Sequence, residues 1–111
     1  MVKQVRRYDI CLANLDPARG SEIQKMRPCV VISSDEMNLH IRTVIIAPAI
    51  STQRDYPSCV SVTFQRKKGQ VVLDQIRTVD KSRLVKRLGV LPDARAREVA
   101  DVLQEIFAYG G

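Results

Sequence analysis

The chain has 111 residues, enough for one hydrophobic core and too few for two, so it reads as one domain spanning 1–111. Hydrophobic residues make up 45% of it and no apolar run approaches the roughly 18 residues of a membrane span, which excludes the disordered and membrane-spanning classes. A net charge of +6 draws anions and points to nucleic acid or an acidic protein as partner.

The N-terminal MVKQVRR is basic, but the apolar stretch behind it, residues 10–15, is short and follows Asp9. That is not a secretory signal, and a cytosolic location is expected. Residues 9–15 form the first predicted strand, followed by an irregular stretch from Asp16-Pro17 through Gly20 to Lys25. CVVIS, residues 29–33, is a continuous apolar run, the pattern of a strand buried on both faces. Residues 43–50 form another, in which Pro48 suggests an edge or a bulge. In residues 59–64 the pattern alternates, with Val60, Val62 and Phe64 on one face and Ser61 and Thr63 on the other. Residues 71–73 and the set Leu84, Leu88 and Val90 complete the strands.

The last segment changes period. Val99, Val102, Leu103, Ile106 and Phe107 fall on one helical face, with Pro92 suited to the first turn and Gly110-Gly111 to the stop. Arg95, Arg97, Glu98, Asp101 and Glu105 line the opposite face. A helix with that stripe must bury it against the sheet. The expected architecture is a mostly β, small barrel capped by a C-terminal helix.

Absences narrow the chemistry. Cys11, Cys29 and Cys59 are odd in number, widely spaced and set among Ile, Leu and Val, which describes buried reduced thiols rather than zinc ligands. The single histidine, His40, placed in a loop before a strand, cannot supply a two-histidine acid–base pair within one chain. The carboxylates are scattered singly or at turns, with no converging set for two metals. No metal or cofactor is expected. What remains is polar residues where apolar strands begin or end: Arg27-Pro28 before CVVIS, Ser51-Thr52-Gln53 after VIIAPAI, and Asp74-Gln75 with Arg77 after VVL. A rigid strand fixes a side chain at its end, which is where functional groups gain from position.

Five segments carry a resemblance: RRYDI (6–10), LDPARGSE (15–22), MRPCVVISSD (26–35), APAISTQ (47–53) and VVLDQIRTVDKSRLVKRLG (71–89). In this order they are similar to the MazF/PemK toxins of type II toxin–antitoxin systems across nearly the whole chain. The resemblance implies an SH3-like barrel of the MazF/PemK/CcdB kind, a homodimer, and sequence-specific cutting of single-stranded RNA, mRNA included. It also implies 2′,3′-cyclic phosphate and 5′-hydroxyl products, no metal, and an antitoxin whose acidic tail covers the RNA groove. Arg27 matches the catalytic arginine and Ser51 the strand-end hydroxyl. Ser21 and Glu22 match the loop beside the active site, and Asp74-Gln75 an RNA-facing pair. Two departures stand out. Tyr8 occupies a position usually held by glycine, and Ser21 and Val72 stand where some PemK-like members carry a histidine and an arginine.

The chemistry follows from those residue types. A ribose 2′-oxygen attacks its own phosphorus, charge builds on the phosphoryl oxygens, and a planar guanidinium such as Arg27 grips two of them. Ser51 or Thr52 hydrogen-bonds an oxygen or orients the 2′-hydroxyl, in a site that works by positioning and charge. With Asp74 as base, activity falls only in acid. Tyr56 is the candidate for stacking a base beside Thr52 and Gln53, and Arg54, Lys67 and Lys68 are candidates for phosphates. Two rival readings share the barrel: a non-catalytic nucleic-acid-binding module and a gyrase-directed toxin of the CcdB type. RNA cleavage separates both from the first.

Overall fold

A computed structural model describes residues 2–15 and 26–110, so Ser21 and Glu22 lie outside the described residues. Among the described residues seven strands form one sheet: β1 (Asp9–Asn14), β2 (Met26–Val31), β3 (Thr43–Ile50), β4 (Cys59–Phe64), β5 (Lys67–Val72), β6 (Arg77–Asp80) and β7 (Leu84–Val90). A short helix α1 (Asp35–His40) lies between β2 and β3, and α2 (Asp93–Phe107) follows β7. The order is β4-β5-β3-β2-β1-β7, all pairings are antiparallel, and β6 joins the free side of β3. Among the described residues no ladder joins β4 to β7, so the expected barrel is a curled and open one.

Strand β3 makes the curl. Its first half, Thr43 to Ile46, pairs with β6, while Ala49 and Ile50 pair with β5. Pro48 falls between the two, where neither neighbour is in register, so its missing N–H interrupts no ladder on that side. The proline marks neither an edge strand nor a bulge; it marks the handover in a central strand.

The sheet has a core on each face, as the CVVIS run predicts. Val30 and Ile32 join one cluster with Val60, Val62, Leu73 and Val99 of α2. Cys29 and Val31 point into the other with Cys11, Val44, Ile46 and Leu84. The alternation in β4 holds, with Val60 and Val62 buried and Ser61 and Thr63 exposed. Cys59 departs from expectation: it is half-buried, because it opens the strand, whereas Cys11 and Cys29 are fully buried. Burial pushes the Cys11 thiol up to about 11 and the Cys29 thiol up to about 12.

Several predicted boundaries shift for local reasons. Leu73 belongs to a 3-10 turn, Leu73–Gln75, rather than to the strand before it. His40 sits in the last turn of α1, not in a loop: the Ser34 hydroxyl caps that helix by accepting from the Met37 N–H at 3.1 Å, with Asp35 and Glu36 in its first turn. Pro92 precedes the first turn of α2 as its N-cap, and the helix ends at Phe107, ahead of Gly110. The α2 stripe is only partly covered. Val99 is buried and Val102 and Leu103 pack on the core, but Ile106 and Phe107 stay exposed.

The glycine-to-tyrosine departure has a clear structural sense. Tyr8 has φ +73°, the left-handed region glycine enters freely and other residues at roughly 1 kcal/mol. Its N–H donates to the Val31 carbonyl at 2.6 Å, its carbonyl accepts from the Leu91 N–H at 2.9 Å, and its ring packs on the core. The first strand therefore enters the sheet in a glycine-like conformation, with ring burial offsetting the strain.

Candidate active site

Register brings Arg27 and Ser51 to one end of the sheet. Strands β2 and β3 pair Val31 with Ile46 and Cys29 with Pro48. Carried two residues further, the same register sets Arg27 opposite Ile50, and Ser51 is the next residue. Ala13 of β1 faces Arg27 from its other side. The result is a cleft of about 480 Å³ whose polar lining includes Arg27, Ser51, Thr52, Gln65, Lys67 and Lys68. Its apolar lining includes Pro48, Ile50, Phe64 and Leu88. Arg27, Ser51 and Thr52 are all exposed, so a ligand can reach them.

One glycine permits this closeness. A Cβ at Gly69 would stand 2.7 Å from the Ile50 carbonyl oxygen, so only glycine lets β5 lie against the end of β3 just before Ser51. The next residue, Gln70, is buried and holds the loop that follows. Its Oε1 accepts from the Arg54 N–H at 2.8 Å and its Nε2 donates to the Arg54 carbonyl at 3.0 Å, a strand-like pairing made by one side chain. Neither residue stood out in the sequence, although a lone polar Gln leading into VVL was the available signal.

The far end of the loop is tied at Ser58. Its hydroxyl donates to the Asp74 carboxylate at 2.7 Å, and its carbonyl accepts from the Leu73 N–H at 3.0 Å. The Ser58 hydrogen bond, aided by Asp74's own backbone N–H and the Arg54 charge, holds the Asp74 carboxyl below its ordinary 3.8. Between the two ties, the Arg54 guanidinium lies 4.7 Å from the centre of the exposed Tyr56 ring, a cation–π pair on the loop's outer side.

The predicted residues thus fall into three groups. Arg27, Ser51 and Thr52 share the cleft. Gln53 lines a neighbouring cleft, while Tyr56, Asp74 and Gln75 belong to the tied loop and its 3-10 anchor without lining the first cleft. Ser21 and Glu22 fall outside the described residues. His40 is at the opposite end of β2 from Arg27, exposed and 3.7 Å from Glu36. Among the described residues, no three His, Cys, Asp or Glu side chains come together as a metal site would require.

Comparison with known proteins bears on the fold and the family. Residues 6–107 match the family of PemK-like, MazF-like toxins of type II toxin–antitoxin systems. The Endoribonuclease MazF of Staphylococcus saprophyticus is 35% identical over 89% of this chain and 88% of its own length. Among solved structures, MazF in a MazE–MazF crystal from Deinococcus radiodurans superposes with TM-score 0.83 at 23% identity, covering 98% of this chain and all of that one. A mycobacterial endoribonuclease in complex with its cognate antitoxin gives TM-score 0.80 at 21% identity, covering 96% and 98%. The structures share the fold, and the family match over nearly the whole chain fixes the relationship: this protein belongs to the PemK-like, MazF-like toxins of type II toxin–antitoxin systems.

Proposed function

We propose that the protein, an endoribonuclease toxin by family, cuts single-stranded RNA at short sequences without a metal, leaving 2′,3′-cyclic phosphate and 5′-hydroxyl ends. The observation that carries this reading is the meeting of Arg27 with the Ser51 and Thr52 hydroxyls in one cleft beside Lys67 and Lys68. The ribose 2′-oxygen attacks phosphorus, the bond to the 5′-oxygen breaks, and charge gathers on the non-bridging oxygens. Arg27 binds two of those oxygens in a planar fork and hands a proton to the departing 5′-oxygen, while the 2′-hydroxyl that Ser51 or Thr52 orients gives up its own proton through water, which restores Arg27. Lys67 and Lys68 draw the strand in, and preorganised charge at such a site contributes several kcal/mol to the transition state. Tyr56 offers a ring for a base, and Ser21, Glu22, Gln53, Asp74 and Gln75 contribute to RNA selection.

The net charge of +6 and the basic cleft suit an acidic antitoxin, and structural relatives have been solved together with their antitoxins; we infer that this protein works in the cytoplasm as a homodimer. No described helix is long and apolar enough to cross a membrane.

The deciding experiment incubates purified protein with a long, sequence-diverse single-stranded RNA in excess EDTA, beside Arg27→Ala, and maps the ends. Discrete cuts by the wild type alone, with cyclic phosphate ends, are expected; an absence of cuts overturns the reading. The pH profile gives an independent check. Asp74 has a lowered carboxyl pKa, so it stays ionised until pH falls below the ordinary carboxylate range, whether it acts as base or as loop anchor. Rates should be level from pH 8 to about 5 and fall only below about 4. A steep loss between pH 7 and 6 would instead implicate His40.

A further inference from the structure

A second cleft, of about 710 Å³, lies between the outer face of the β4–β5 hairpin and the start of α2. Its polar lining is Gln53, the exposed Ser61 and Thr63 of β4, Lys68 of β5, and Arg95 from the first turns of α2. Lys68 stands opposite Thr63 in the hairpin and lines both clefts, so the second continues from the first across one lysine. Two acids of α2 near this lining are engaged in ion pairs. Glu98 lies 2.8 Å from Arg95, with both side chains near half exposure, and Asp93 lies 2.9 Å from Arg97.

We propose that this second cleft is an accessory track for the RNA strand flanking the cut, its backbone phosphates meeting Lys68 and Arg95 and its sugars meeting Ser61, Thr63 and Gln53. The proposal rests on the RNA-cutting reading above and extends it to residues outside the first cleft. Two cations set among hydroxyls and an amide match a strand that presents a charge at every nucleotide and hydroxyls between. A protein partner would call for an aromatic or aliphatic pocket at the centre, and the apolar lining here is limited to Val62, Gly69 and Pro92. Glu98 shapes the strength of this track. A phosphate that reaches Arg95 must compete with a carboxylate already there, which keeps the flanking contact weak and leaves selection to the first cleft.

The test compares two RNAs, of about 8 and about 20 nucleotides, each centred on a mapped cut site. Binding is read on copies with 2′-deoxyribose at the cut position, which cannot cyclise, and cleavage on the unmodified strands. The wild type should prefer the longer RNA by about tenfold, with a steeper salt dependence that reflects about 0.7 in slope for each added phosphate contact. Arg95→Ala should remove about 0.7 of that slope, and Arg95→Glu should bring the length preference close to one. Glu98→Gln, which preserves the helix surface, should raise affinity for the longer RNA by about twofold to threefold. Thermal melts establish that each variant is folded. A length preference unchanged in both Arg95→Glu and Glu98→Gln overturns the proposal, as does a loss of antitoxin binding in Arg95→Glu with the RNA preference intact. If no cut site can be mapped on any RNA, the fault lies in the RNA-cutting reading and not in the second cleft.

Discussion

The two ends of β3 are built for opposite purposes. At its start the strand is paired by β6, and polar groups nearby are engaged by the protein itself. The buried Ser33 hydroxyl donates to Asn38 Oδ1 at 2.5 Å and accepts from the Ile45 N–H at 3.1 Å, Asn38 Nδ2 donates back to the Ser33 carbonyl, and the Lys81 ammonium donates to the Asn38 carbonyl. At the same end, the buried Asp9 carboxylate accepts from the Arg6 N–H at 2.9 Å and from the Arg87 guanidinium at 2.9–3.0 Å. At its finish β3 exchanges β6 for two residues of β5, then delivers Ser51 and Thr52 to an exposed cleft beside Arg27. One end fastens the molecule, and the other displays groups whose partner is a ligand. Residues at the first should govern stability with little effect on turnover, and residues at the second the reverse.

The sharpest test of that division is Arg27→Ala. Removing the guanidinium from the cleft should lower kcat/KM by about 100- to 1,000-fold, as loss of a preorganised charge-stabilising donor does elsewhere. Because Arg27 is exposed, the melting temperature should move by no more than about 2 °C. An unfolded variant, or one that cuts within about tenfold of the wild-type rate, breaks the comparison. Asp9→Asn should do the opposite. It removes the charge from a buried acceptor with three donors, for a loss of about 2–3 kcal/mol once the half-exposed Arg87 is discounted for solvent. Calorimetry should show Tm lower by roughly 10 °C, while kcat/KM of the folded protein at low temperature stays within about twofold.

That contrast also explains what could be read in the chain beforehand. The fastening end is apolar periodicity, so Thr43–Ile50 and Cys59–Phe64 and the two-faced burial of CVVIS were visible from residue type alone. The two-residue pairing of β3 with β5 was not, because register depends on which strand is neighbour and not on composition. Arg27 and Ser51 could be named as strand-end residues, yet only register shows that they meet. Gln70 and Gly69 act through backbone atoms of Arg54 and Ile50, contacts that leave no mark in their own side-chain pattern. Strand β6 was missed because four residues with one buried side chain, Val79, carry too little periodicity to count.

Gln70 offers a smaller and finer test, since it is buried like a fastening residue but serves the displaying end. Gln70→Ala should cost about 1–2 kcal/mol, the range for two lost hydrogen bonds beside a half-exposed backbone. Its effect on cleavage should appear in KM, raised about fivefold, with kcat within about twofold, because Arg54 and Tyr56 are displaced while Arg27 and Ser51 are not. Gln70→Glu adds a signature that simple destabilisation lacks. An ionised Glu accepts from the Arg54 N–H but cannot donate to its carbonyl, whereas the protonated acid can do both. The variant's KM should therefore approach the wild-type value as pH falls from 8 to about 5, and a constant ratio across that range would leave Gln70 a purely structural residue.

The smallest effect is expected where the displaying end stores strain. The β4–β5 hairpin closes between Phe64 and Lys67 with Gln65 at φ +49° and Arg66 at φ +63°, a two-residue turn that Asn-Gly occupies with far less strain. Gln65→Asn with Arg66→Gly should stabilise the protein by about 1 kcal/mol, read as a rise of roughly 5 °C in Tm. Gln65 lines the Arg27–Ser51 cleft and Arg66 adds positive charge at the hairpin tip, so the same change should raise KM for RNA by about twofold to threefold. Opposite signs for stability and binding at one turn would mark it as belonging to the displaying end. If stability rises with KM unchanged, the hairpin tip belongs with the scaffold, and the boundary of the RNA surface moves back to Lys67 and Lys68.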